Sequence, residues 1–421
     1  MPKLNLTGWI LLGLVAGIIV GLLQYMLLPD AVNDATVRYF HDPIGRLFLN
    51  GIRLLVVPLV LVSLTLGTAA IGDLGKLGRI GGKTMAIYLT TTAVAISIGF
   101  ALAFLVQPGS GLSIPTDAAF TGREAPPLTD ILVDIVPTNP FAAMVEGKML
   151  QVIFVAMLAG LAIARLRERV EPLVRVLESL DQVIQSMVTM IMYVAPLGVF
   201  ALIAKVIVGE GLAVFVPLLK YMGAVLGALL IHAVVVYPTY LTVLGRLSPV
   251  QFFKNIYPAQ VVAFSTSSSN ATLPVTMEVA EHRLGTRESI HAFTLPLGAT
   301  VNMDGTAIMQ GVATVFIANV YGVDLSAGDF LRVVLMATLA SIGTAGVPGV
   351  GLIMLSMVLV EVGLPVEGIG IILGVDRLLD MSRTAVNITG DLMCTAVVAR
   401  SEGEFEPAIY GAENHGSGPR G

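Results

Sequence analysis

Charge is what this chain has least of. Asp, Glu, Lys and Arg make up 13% of its 421 residues, where soluble domains run near a quarter. That scarcity excludes an ordinary soluble domain. The net charge of −5 says little, because the charges sit in loops and on a few helix stripes. Cysteine is nearly absent. A lone Cys394 excludes an intramolecular disulfide and any multi-cysteine metal site, and reads as a small apolar filler. Five scattered histidines show no metal-ligand spacing. No cleavable signal is evident, since the first apolar stretch, Gly8–Leu28, is long enough to span a bilayer.

Apolar residues fill the gap. They make up 55% of the chain, with a mean hydropathy of +0.86, which predicts an all-α polytopic membrane protein. Six spans come first: Gly8–Leu28, Ile44–Ile71, Thr84–Val106, a broken Asn139–Leu166 interrupted near Gly147, Leu180–Val208 and Val214–Leu244. A Pro- and Gly-rich linker, Gln107–Thr129, separates the third from the fourth. Lys76, Arg79 and Lys83 follow span two. Arg165, Arg167, Arg169 and Arg175 follow span four, and Arg246 and Lys254 follow span six. The intervening loops are acidic, so both the N-terminus and the end of span six read as cytoplasmic.

After Pro249 the pattern changes. Two arms too short to span, Val250–Phe264 and Leu273–Ala280, flank the polar run Ser265–Thr272. Basic residues at both ends put both on one side, which describes a re-entrant hairpin. Such backbone is tolerated at membrane depth only where it is buried in protein or lines a cavity. A helix broken at Asn302-Met303-Asp304-Gly305-Thr306 follows. Then Phe330–Val362 repeats the hairpin with its tip at Ser341–Gly351 and acidic flanks, so it enters from the opposite side. Paired interrupted segments of opposite sense are an inverted repeat and point to a midplane binding site. The polar, Gly-rich tail from residue 401 reads as disordered.

The last apolar segment carries the densest chemistry. Counted from Asp376 at 100° per residue, Asp380, Arg383, Asn387 and Asp391 fall at roughly +40°, −20°, +20° and +60°. Three carboxylates, a guanidinium and an amide share one stripe. Each charge costs on the order of 2.5–3.5 kcal/mol at the membrane centre, so the stripe must face protein, a wet cavity or ions. Arg383 is a planar fork matched to a carboxylate, and Asp380 suits an ammonium. An internal Asp380–Arg383 pair with no ligand is the alternative. Asp304 with the carbonyls of the broken helix suits a hard monovalent cation; a helix N-cap is its alternative. The hairpin tips offer hydroxyls and helix N-termini to an anion, and a flexible serine linker is the alternative for the first.

These pieces resemble the glutamate transporter family, the dicarboxylate/amino acid:cation symporters. Ser267-Ser268-Ser269, Asn302-Met303-Asp304-Gly305-Thr306, the Gly343–Gly351 tip, Asp380…Arg383-Thr384…Asn387…Asp391 and Pro137-Thr138-Asn139-Pro140 carry the resemblance, in the family's order, over roughly residues 8–400. It implies eight transmembrane helices plus two re-entrant hairpins, and a homotrimer in the inner (plasma) membrane with both termini cytoplasmic. Residues 8–73 and 137–208 would form a scaffold. Residues 84–106, 213–245, 249–284, 289–322, 326–363 and 366–400 would form a transport domain that moves as an elevator.

The resemblance also implies a ligand set. Arg383 would bind a side-chain carboxylate with Thr306 nearby, and Asp380 and Thr384 the amino group. Asn387, Ser268, Ser269 and the tip around Val347 and Gly351 would hold the α-carboxylate. Up to three sodium ions would be co-transported. One would sit with Gly298, Asn302, Asn387 and Asp391, and one under the second hairpin with Thr300 and the backbone of Ser341 and Thr344. The third would use Tyr88, Thr91, Thr92, Asn302 and Asp304. The implied activity is sodium-coupled uptake of aspartate or glutamate, not an enzymatic reaction.

The chain departs from the family at three places. Ser267 and Met381 stand where relatives carry an arginine, and Arg377 lies about 60° from Asp380 on a helical wheel, a poor substitute. Gln310 stands where animal members carry a proton-coupling glutamate. Rivals are a proton-coupled C4-dicarboxylate carrier, a neutral amino acid carrier, an anion channel and an intramembrane aspartyl protease. The protease's Gly-x-Gly-Asp signature is absent.

Overall fold

The computed structural model describes residues 6–70, 76–112, 133, 135–341, 346 and 348–411. Among these the chain is helical apart from one antiparallel bridge between Thr286 and Phe405. Helices suit apolar segments because each backbone group is satisfied within its own segment. The first half comprises α1 (Leu6–Leu27), α2 (Asp30–Thr36), α3 (Asp42–Ala70), α4 (Lys76–Val106), α5 (Pro140–Glu146) and α6 (Met149–Leu166). It continues with α7 (Glu171–Glu210), α8 (Phe215–Ile231), a π-helical turn at His232–Val236 and α9 (Tyr237–Val243). The second half comprises α10 (Pro249–Thr266), α11 (Ser269–His282), α12 (Glu288–Val301), α13 (Asp304–Tyr321), α14 (Ala327–Ser341), α15 (Val350–Glu361), α16 (Ile369–Glu402) and α17 (Pro407–Tyr410).

Among the described residues four helical stretches are long and apolar enough to cross a membrane: Gly8–Leu27, Asp30–Ala69, Gly78–Val106 and Glu171–Val243. The difference from eight spans has physical causes. The fifth and sixth spans run on through a short 3₁₀ turn at Gly211–Val214. The fourth breaks at Gly147, which takes φ +67°, and the seventh breaks at Asn302 and Met303. The last helix is long but carries the charged stripe.

Small residues set the packing. Gly13, Gly17 and Gly21 recur every fourth residue on α1 and meet α7. A Cβ there would lie 2.3, 2.7 and 3.1 Å from the carbonyl oxygens of Pro196, Phe200 and Ala204. This is the small-xxx-small contact by which membrane helices approach closely; alanine at Gly13 would force the pair apart. Gly99 and Gly311 do the same between α4 and α13. Helices α1, α3, α6 and α7 pack chiefly on one another, and α4, α8 and α10–α16 form a second group. The groups meet where Gly370 touches Leu202, Gly374 touches Leu14 and Gly349 touches Met192. Arg53 Nη2 also reaches Glu367 Oε1 at 2.8 Å across that junction.

Both hairpin roots are helical, and their tips meet. Ser267 turns the first tip with φ +52°. Ser268 caps α11 by accepting from the Ala271 amide at 3.1 Å and donates to the Gly346 carbonyl at 2.7 Å. The Asn270 amide also donates to that carbonyl, at 3.2 Å. The first tip is therefore a built contact, not a flexible linker.

The tail expected to be disordered from residue 401 is ordered over its described part, 401–411; residues 412–421 lie outside the described residues. Its backbone pairs with the root of the first hairpin: Glu406 N donates to Gly285 O at 2.7 Å and Arg287 N to Glu404 O at 3.1 Å. Tyr410 donates to Ser248 O at 2.7 Å. Arg79 and Lys83 grip Glu402, each at 2.6 Å, and hold its carboxyl down at about 2. Composition missed this because the ordering comes from tertiary partners, not from the segment's own apolar content.

Candidate substrate and cation sites

Helix α16 places its stripe inward, as its wheel predicts: Asp376, Asp380, Arg383, Asn387 and Asp391 are all buried, while Leu378 on the other side is 44% exposed. Arg383 is 1% exposed. Its Nη1 donates to Asp376 Oδ1 at 2.7 Å and its Nη2 to Asp380 Oδ1 at 2.8 Å. The internal Asp380–Arg383 pair is thus present. Arg377 Nη1 lies 3.5 Å from Asp380 Oδ2, so the 60° offset that argued against it is within reach of an i, i+3 pair. Two aspartates and two arginines form one neutral cluster.

Gly351 and Thr306 meet at this fork. A Cβ at Gly351 would lie 3.3 Å from Arg383 Nη2 and 3.5 Å from Thr306 Cγ2. Glycine at 351 therefore keeps side-chain atoms off the Arg383 fork. Thr384 spends its hydroxyl proton on the Asp380 carbonyl at 2.8 Å, leaving its lone pairs outward. Asn387 Oδ1 accepts the Gly305 amide at 2.8 Å, which satisfies one orphan donor at the start of α13 and leaves the Asn387 NH₂ as donor. Ser269 is buried beside the first tip. Val347 and Thr344 lie outside the described residues.

A second set surrounds the broken helix. Asp304 is not an N-cap: it is the first residue of α13, and Met303 precedes it with no side-chain cap. Its carboxylate is fully buried. Oδ1 accepts from Thr92 Oγ1 at 2.7 Å and Thr91 Oγ1 at 3.4 Å. Oδ2 accepts from Tyr237 Oη at 3.0 Å and His232 Nε2 at 3.1 Å. Asn302 donates to Asp391 Oδ1 at 2.9 Å, while its own Oδ1 is buried without a donor. A Cβ at Gly298 would lie 2.5 Å from Tyr88 Oη and 2.6 Å from Asp391 Oδ1, so Tyr88, Gly298 and Asp391 converge. Tyr88 donates to the Thr294 carbonyl at 3.0 Å. Thr300 and Ser341, expected at a separate site under the second hairpin, have hydroxyls bonded within their own helices, to Leu297 O at 3.0 Å and Thr338 O at 2.7 Å.

Three participants carried no assigned role in the sequence: Asp376, His232 and Tyr237. Asp376 was on the stripe, and one more contact to Arg383 completes it. His232 and Tyr237 are polar groups inside an apolar span, a feature that marks function within membrane helices.

A dry carboxylate, hydroxyls and an orphan amide oxygen on a broken helix, next to a buried arginine fork, match a carrier of anions and hard cations. A family model, the sodium:dicarboxylate symporter family, matches residues 6–401. The chain belongs to that family. It is 34% identical over 414 residues to the proton/sodium-glutamate symport protein of Geobacillus stearothermophilus, covering 96% of each. It is 36% identical over 416 residues to the proton/glutamate-aspartate symporter of Escherichia coli (strain K12), covering 96% of this chain and 94% of that one. It is 32% identical over 412 residues to the C4-dicarboxylate transport protein of Bacillus subtilis (strain 168), covering 96% and 95%. These family members are transport proteins, two of them symporters, and not enzymes.

Proposed function

We propose that the chain is a secondary transporter that takes up L-aspartate or L-glutamate together with sodium. One observation carries this: the balance of buried charge. Asp376, Arg377, Asp380 and Arg383 neutralise one another. Asp304 and Asp391, both buried, have no arginine or lysine partner among the described residues. His232 faces Asp304 through Nε2, and its Nδ1 is buried without a partner, so Nε2–H is the donor to the carboxylate. A buried carboxylate that has hydrogen-bond donors but no cationic partner is still costly in low dielectric. Two such groups and the net negative charge of aspartate call for about three monovalent cations on neutrality grounds.

Substrate roles follow the cluster. The side-chain carboxylate takes the Arg383 fork beside Thr306 and Gly351, sharing it with or displacing Asp380. The released Asp380 carboxylate and Thr384 hold the ammonium. The Asn387 NH₂, Ser269 and the second tip, including Val347, hold the α-carboxylate. Asp380 favours an amino acid over a C4-dicarboxylate, whose lack of an ammonium would strand it. One cation sits at Asp304 with Thr91, Thr92, Asn302 and Tyr88. One sits at Asp391 with Gly298, Asn302 and Asn387, and one under the second hairpin near Thr300, Ser341 and Thr344. Gln310 is buried on α13 and carries no titrating proton, so coupling runs through sodium.

The two packing groups act as a fixed scaffold and a moving transport domain in the inner membrane, as a homotrimer with both termini cytoplasmic. The second hairpin covers the substrate as a gate. The test is uptake of labelled aspartate, glutamate, serine and succinate into liposomes, with and without a sodium gradient. Sodium-driven uptake of the two acidic amino acids is expected. Succinate uptake driven by a pH gradient alone, in sodium-free buffer, would overturn the proposal.

A further inference from the structure

The π-helical turn in the sixth span does more than bend it. Residues five apart on an α-helix point about 140° away from each other. Here the Tyr237 amide bonds the His232 carbonyl across five residues. That wider turn stacks the two side chains edge to face, with ring centroids 4.6 Å apart. Both then reach the same oxygen, Asp304 Oδ2. Pro238 supplies the cause. It has no amide proton, and in an α-helix its ring would press on the carbonyl four residues back, at Val234, inside the turn. π-turns inside α-helices recur at functional sites.

The donors to Asp304 are not equivalent. Thr91 has one proton and two acceptors in reach, Asp304 and the Tyr88 carbonyl at 3.1 Å. Tyr237 likewise divides its proton between Asp304 and the Val386 carbonyl at 3.1 Å. Thr92 and His232 give theirs to Asp304 alone, one to each oxygen. Thr92 can still offer hydroxyl lone pairs to a cation. An imidazole Nε2–H cannot, so Oδ2 is a fixed oxygen and Oδ1 is the one turned toward Thr91 and Thr92.

We infer that His232 is a positioning residue of the cation site: its Nε2–H, held by the π-turn, pins Asp304 Oδ2 so that Oδ1 faces the ion. Tyr237 assists with half a share. The inference rests on the sodium reading proposed above and adds a residue to it.

The experiment is a sodium titration of aspartate binding by calorimetry on the purified full-length protein. It compares the parent with His232→Ala, His232→Gln, His232→Asn and Tyr237→Phe. Gln keeps a donor long enough to reach Oδ2, and Asn is polar but too short. The sodium midpoint should rise about tenfold or more for Ala and Asn, the worth of one charge-assisted hydrogen bond. It should return to within about threefold of the parent for Gln, and Tyr237→Phe should fall between. Aspartate affinity at saturating sodium should be unchanged in all, which a general loss of packing would not give. If His232→Ala does not fold, the Asn and Gln pair decides. A parent-like midpoint in Asn or Ala, or no recovery with Gln, overturns the role of His232. A parent that binds aspartate without any sodium dependence overturns the sodium reading instead.

Discussion

Replacing Arg383 by Cys separates what this arginine does for the fold from what it does for the substrate. Its guanidinium faces two carboxylates at 2.7 and 2.8 Å and is 1% exposed. Removing one partner of a buried pair costs about 3–5 kcal/mol, most of it for the charge left behind. Asp376 is that charge, because Asp380 retains Arg377. The variant should therefore lose thermal stability, and Asp376→Asn in the same chain should recover most of it by removing the stranded carboxylate. Substrate affinity should not recover. Aspartate loses the same order of energy, about 3–5 kcal/mol, or roughly two to four decades in affinity. Serine has no second carboxylate to lose and gains the vacated space. The order aspartate over serine should invert in both the single and the double variant. The assay is competition of each ligand against labelled substrate in liposomes, with melting curves run in parallel. Aspartate still preferred over serine in Arg383→Cys would refute carboxylate binding at Arg383. A double variant no more stable than the single would refute the stranded-charge account.

Asp304→Asn should leave a folded protein whose aspartate binding needs far more sodium, because a neutral amide gives up the Coulomb attraction of a dry site; an unchanged sodium titration would count against it. Gly351→Ala puts a methyl 3.3 Å from Arg383 Nη2 and should weaken aspartate binding by about 1–3 kcal/mol as overpacking, measured calorimetrically at saturating sodium; full affinity would mean the substrate avoids this spot. Glu402 has its pKa lowered from 4.5 to about 2 by Arg79 and Lys83. A depressed carboxylate stabilises above its unfolded value and is lost on the way down to its folded one. Protease cutting of the C-terminal clasp should therefore increase as pH falls from about 4.5 towards 2. Glu402→Gln should be cut more readily at neutral pH and show a flatter pH profile; a profile identical to the parent's would remove the clasp role.

Legibility in the sequence followed the range of the interaction. The stripe on α16 was readable because five residues on one helix obey one angular period, and all five are buried. The breaks at Gly147, Ser267 and Asn302 were readable because turn chemistry is local. What periodicity could not give was which neighbour each stripe residue chooses. Asp380 and Arg383 read as a ligand site with an internal pair as the alternative, and the structure shows the pair while keeping Gly351 bare beside it. Those are not rivals. A guanidinium held by its own carboxylates has its charge balanced and its geometry fixed, so a ligand carboxylate exchanges with a partner and need not order the side chain itself. Asp304 shows the same limit from the other side. Its type and its place on a broken helix suggested a cation. Its four donors come from two other helices, more than sixty residues away in sequence, and one of those helices presents them only because a proline displaces a single turn. A wheel drawn at 100° per residue puts His232 and Tyr237 on different faces. The site depends on the one place where that period fails.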